Sequence, residues 1–179
     1  MSHDLSSPWR EFLSEVDVQL TEAVVLHCHG GFVAAQHYGL PRTTADLDYL
    51  AIAPRSAEGH IEKLGGQASL LTKKYGVYLQ HAPLTSVPES YEERLTGLFP
   101  GQFQHLHLFA LDPYDLALSK LSRNTAVDRE DVEYLARTIP LDPQVLQQRY
   151  HAELRPIMLG NLEDHDQTLE MWIEAYFRS

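Results

Sequence analysis

The chain has 179 residues, 44% of them hydrophobic, and a formal net charge of −11 from 14 basic and 25 acidic residues. That length suits one domain with a helical extension and a substantial core. The composition excludes a disordered chain, no apolar run approaches a membrane span, and the carboxylate excess opposes non-specific binding to nucleic acid, which depends on Lys and Arg displacing counterions.

In chain order, Ser7-Pro8 reads as an N-cap with proline at the first helical position. Trp9, Phe12, Leu13, Val16 and Leu20 then keep helical spacing. Ala23–Cys28 is predicted as a buried strand, Phe32–Tyr38 as a short helix closed by Gly39, and Asp46–Ile52 as a second strand. Ser56–Leu64 and Ala68–Tyr75 are helical patterns, Val77–Ala82 a strand, Pro83–Arg94 a loop, and His105–Leu111 a strand. Helices follow: one from Asp112-Pro113 to about Ser122, then Asp128–Thr138, one starting at Asp142-Pro143, and Asp164–Phe177. Strands first and helices later make an α+β fold: a sheet flanked by helices over residues 1–111, with a helical C-terminal part over 112–179 packed on it.

Cys28 is the single cysteine, which excludes an internal disulfide framework. Met1-Ser2-His3-Asp4 carries no basic lead into an apolar segment. Both features suit a reducing cytoplasm.

The chemistry concentrates between the first two strands. In a strand, Asp46-Leu47-Asp48 sets two carboxylates on one face, and hard oxygen donors of this kind suit Mg²⁺. Gly30-Gly31, between a strand and a helix, lets backbone pass close to a phosphate. A phosphate cradle beside a metal platform points to phosphoryl or nucleotidyl transfer, in which a pair of metals is one arrangement. Downstream, Lys120 supplies a compact charge and Arg123 a bidentate fork for phosphates, while Asp128 and Asp131 fall one helical turn apart. The pairs His27/His29 and His105/His107 make a poor zinc site and read as structural or solvent-facing.

Gly30-Gly31, Gly39, Arg42 and Asp46-x-Asp48, followed by Leu111-Asp112-Pro113-Tyr114-Asp115, Lys120, Arg123, Asp128 and Asp131, resemble the polymerase-β-like minimal nucleotidyltransferases. The branch most resembled includes the abortive-infection toxin nucleotidyltransferases of toxin–antitoxin pairs. The resemblance implies a polymerase-β-like sheet and Mg²⁺-dependent transfer of a nucleoside monophosphate from an NTP to an RNA, such as a tRNA end, or to a protein hydroxyl. An antitoxin is the implied partner. It assigns Asp46, Asp48, Lys120 and Asp128 to catalysis, the first two as metal ligands, and Gly30, Gly31, Arg42, Thr44, Lys120 and Arg123 to the nucleotide. Arg94 resembles a further basic position. The second glycine stands where relatives often have serine, leaving only backbone contacts there. Strand Val77–Ala82 lacks the third carboxylate that many relatives carry. Asp128 takes its place, or the site is weakened, or catalysis has been lost and the fold serves as a binding or regulatory module.

Overall fold

The structure, a computed structural model, describes residues 5–177, so the Met1–Asp4 stretch lies outside it. The architecture is α+β: a mixed five-stranded sheet flanked by helices, with a helical C-terminal part. The chain groups into two compact units. The first runs to Leu84 and adds Leu95–Ala110; the second joins Thr85–Arg94 to everything from Leu111 onward.

In the first unit, helix α1 (Trp9–Val18) precedes β1 (Val24–His29), α2 (Gly30–Gln36), β2 (Asp46–Ala53), α3 (Glu58–Gly65), α4 (Leu70–Tyr75), β3 (Tyr78–His81), β4 (Thr96–Leu98) and β5 (Leu106–Ala110). The sheet order is β3-β2-β1-β5-β4. β1 runs antiparallel to β2 and parallel to β5, and β2 runs parallel to β3. Alternate residues Val24, Leu26 and Cys28, with Leu47, Tyr49 and Leu79, are buried, so one face of the sheet carries the apolar core. Trp9, Phe12 and Phe32 fill that core through edge-to-face ring contacts at 5.8 and 4.8 Å. Asp17, buried at the end of α1, accepts backbone N–H bonds from Gln104, His105 and Leu106 at 3.0, 2.7 and 2.7 Å, fixing where β5 begins.

Several boundaries differ from the sequence expectation. α1 starts after Pro8 with no side-chain cap, because Ser6 and Pro8 carbonyls take the first helical N–H groups. α2 begins at Gly30 and ends at Gln36, and Gly39 turns the chain beyond it at φ +77°. The short β4 leaves no signal in the sequence, because Thr96-Gly97-Leu98 has too few residues to show alternation and an interior glycine.

In the second unit, Asp112 caps α5 (Pro113–Leu118) and Asp142 caps α7 (Pro143–Arg149), each followed by proline as the sequence implies. α5 stops at Leu118, short of the expected Ser122, and Lys120 lies in the turn that follows. α6 (Ala126–Thr138) opens with a capping box in which Thr125 and Asp128 bond each other's backbone N–H. α8 (Leu162–Tyr176) packs on α6, burying Trp172, whose indole N–H donates to Asn124 at 3.2 Å.

Candidate functional site

Asp46 and Asp48 are half-buried and flank buried Leu47, so both carboxylates stand on the sheet face opposite the apolar core. Asp48 is in register with His29 on β1, the residue just before Gly30. Gly30 has φ +72°, and a Cβ built on it would lie 2.6 Å from Oδ2 of Asp48. Only glycine therefore admits the backbone this close to the carboxylate. A Cβ on Gly31 would meet Nη2 of Arg42 at 3.2 Å and Oγ1 of Thr44 at 3.3 Å. The Thr44 hydroxyl donates to Oδ1 of Asp46 and orients it. Thus Gly30, Gly31, Arg42, Thr44, Asp46 and Asp48 form one constellation in the first unit. At seven residues α2 has a small dipole, so the positive charge beside Gly31 comes chiefly from Arg42.

The strand pairing adds two residues that the motifs did not supply. Tyr78 is the register partner of Asp46, and Gln80 that of Asp48. Register partners share a face, so the phenol and the amide extend the carboxylate face toward the edge of the sheet. Burial, with the negative charge of Asp46 and Asp48, holds the Tyr78 hydroxyl above its usual range. The sequence placed this strand, but nothing local to it reveals its register against β2.

Lys120, Arg123, Asp128 and Asp131 form a separate cluster inside the second unit. Lys120 is 3% exposed, and its Nζ donates to Asp131 at 2.7 Å and lies 3.8 Å from Asp128. Asp128, fully buried, also accepts two bonds from Arg123, at 2.8 and 2.5 Å. Burial would raise the Asp128 pKa, but Arg123, the Thr125 hydroxyl and N–H, and Lys120 outweigh it and lower it to about 2. Lys120 is therefore a buried partner of Asp131, and Asp128 has a capping and ion-pairing job in its helix.

Arg94 belongs to a neighbouring network. It forks onto buried Asp115 at 2.8 and 3.2 Å and onto Glu153 at 3.2 and 2.7 Å, while Arg149 reaches Asp115 at 3.0 Å. Cys28 is buried, which pushes its thiol up and leaves it unreactive.

The family model for DUF6036, described as a nucleotidyltransferase of unknown function, matches residues 11–177. The chain belongs to that family. No curated protein and no solved structure matches it. Membership in DUF6036 implies a nucleotide substrate. No helix among the described residues is long and apolar enough to cross a membrane.

Among the described residues, no group of three or more His, Cys, Asp or Glu side chains is arranged to hold a metal ion, the two histidine pairs included. Asp46 and Asp48 nevertheless fit Mg²⁺. That ion binds through one or two carboxylates and keeps water and substrate phosphate in its remaining positions.

Proposed function

We propose that this DUF6036 protein is a Mg²⁺-dependent nucleotidyltransferase that moves a nucleoside monophosphate from an NTP to a hydroxyl group. The observation that carries the reading is the contact between Asp48 and the backbone of Gly30, with Asp46 beside it and Arg42 over Gly31. Asp46 and Asp48 would hold Mg²⁺, which when bound neutralises phosphate charge and favours ionisation of the attacking hydroxyl. Arg42 binds β- and γ-phosphate oxygens, and Gly30 and Gly31 let those oxygens approach the backbone. The acceptor oxygen bonds to the α-phosphorus as the bond to the pyrophosphate oxygen breaks, and the hydroxyl proton leaves to solvent or carboxylate. The resemblance to abortive-infection toxins favours an RNA end, such as that of tRNA, or a protein hydroxyl as acceptor. It also favours pairing with an antitoxin. Incubation with each α-labelled NTP, Mg²⁺ and either total RNA or cell protein tests this. Label should transfer to one acceptor class, and an Asp46→Asn/Asp48→Asn protein should transfer none. Absence of transfer to either class would reject it.

A second reading, a non-catalytic binding or regulatory module, draws on Gln80. It stands beside Asp48 on β3, a strand that carries no carboxylate. A protein that is stabilised by Mg²⁺–NTP yet transfers no label would support that reading.

A further inference from the structure

β3 is the outermost strand on its side of the sheet. Its hydrogen bonds fix which backbone groups face outward. The Tyr78 N–H donates to the Ala45 carbonyl at 2.9 Å and the Ala82 N–H to that of Tyr49 at 2.8 Å, with Gln80 bonding β2 between them. Backbone groups alternate in direction along a strand, so the N–H and C=O of Leu79 and His81 point away from β2. Among the described residues no backbone group bonds to them there. The same edge opens onto a cavity of about 390 Å³, walled by Tyr78, Leu79, Gln80 and His81 with Glu58 and Glu62 of α3. Consecutive strand residues face opposite sides of the sheet, so a cavity that touches all four lies along the edge of the strand. The groove continues into a second hollow of about 250 Å³ that shares Glu58 and His81. Leu50, Ile52 and Pro83 line this hollow, and Arg55 stands in its wall. His81, common to both, is fixed by stacking on Tyr49 at 4.9 Å and by pairing with Glu58 at 2.5 Å.

We propose that this edge docks an extended segment of a basic partner protein. The segment adds a sixth strand beside β3, sets a Lys or Arg side chain against Glu62, and sets an apolar side chain two residues away against Leu50 and Ile52. Outward-facing edge groups are a template for a further strand: main-chain bonds supply affinity, and pockets for alternate side chains supply selectivity. Charge decides the occupant. Among the described residues the first cavity has two carboxylates and no Lys or Arg in its walls, on a chain of net charge −11. Glu58 is engaged by His81, so Glu62, exposed on α3, is the group that meets an incoming cation. Arg55 opposes a cation in the second hollow, which therefore takes the apolar side chain. The same charges disfavour a second copy of this chain. Two β3 edges paired about a two-fold axis would bring Glu58 and Glu62 of both copies together.

Amide hydrogen exchange followed by NMR tests this. The probes are the peptide Thr-Ser-Leu-Thr-Lys-Thr-Leu-Ser-Thr, whose two leucines serve either strand direction, and the same peptide with Glu at its centre. In the free protein the Leu79 and His81 amides should exchange faster than those of Gln80 and Ala82. The Lys peptide should slow Leu79 and His81, and should bind about tenfold or more tighter than the Glu peptide. Glu62→Lys, a change at an exposed position, should reverse that preference. N-methylation of one alternate set of peptide amides should abolish binding, and of the other set should not. Equal binding of the two peptides would overturn the choice of a basic partner. Concentration-dependent protection of Leu79 and His81 without peptide would assign the edge to a second copy and overturn the proposal. Absence of protection by either peptide at about 1 mM, the weak end of specific recognition, would overturn strand addition itself.

Discussion

Asp48 and Gly30 approach so closely that position 30 admits no side chain: a methyl group there would lie 2.6 Å from Oδ2 of the carboxylate. The backbone at Gly30 is also left-handed, at φ +72°. Gly30→Ala should therefore cost about 1–2 kcal/mol from backbone strain alone, and it should also displace the Asp48 carboxylate. Gly76 is the control, since it has φ +74° with nothing within 4 Å of its added Cβ. Both alanine variants should lower stability in urea titrations, but only Gly30→Ala should depress nucleotide transfer.

Asp46 and Asp48 bring two negative charges onto one face, and removing either charge relieves repulsion. Single Asn variants should keep the wild-type unfolding midpoint or raise it slightly. Transfer should fall by about a hundredfold or more, the scale for losing a pre-organised electrostatic element. Circular-dichroism melts alongside the labelled-NTP assay separate the two effects.

The sequence reading makes Lys120 a phosphate ligand. Its burial against Asp131 and Asp128 gives it weight in stability as well. Lys120→Ala leaves two buried carboxylates short of a cation and should cost about 3–5 kcal/mol in chemical denaturation. Arg123 pairs with the same Asp128 but is 67% exposed, and Arg123→Ala should cost about 1 kcal/mol or less. Similar losses for the two variants would show that the Lys120 pair is not the anchor of α6.

Asp128 sets a pH dependence. Its pKa falls from 3.8 to about 2 in the folded protein, so the native state holds the ionised form more firmly than the unfolded chain does. The resulting stabilisation, about 2 kcal/mol, is present in full above pH 3.8 and is lost as pH falls through 2. Denaturation midpoints measured from pH 5 to pH 2 should decline less steeply in Asp128→Asn than in wild type, from a lower starting stability.

The helix starts at Asp112-Pro113 and Asp142-Pro143 were legible because a cap and its N–H partner lie within three residues of each other. Thr125 is hidden as the cap of α6 because Asp128, its reciprocal partner, itself reads as a helix start. The 3.6-residue period extended α5 past Leu118, whereas the buried Lys120 and the turn around it end the helix earlier. Asp17 gave no sign of its role, since the N–H groups it receives belong to residues far along the chain.

Sequence alone determined that Asp46 and Asp48 share a face, because strand alternation is a property of the backbone. It also determined that glycines stand where one strand turns into a helix. Tertiary structure decided the rest. It set Tyr78 and Gln80 beside the two carboxylates, aimed Arg42 and Thr44 over Gly31, and buried Lys120 between Asp131 and Asp128. Those relationships depend on strand register and on which charges lose water together. Both are settled by contacts between distant segments, which no local spacing encodes.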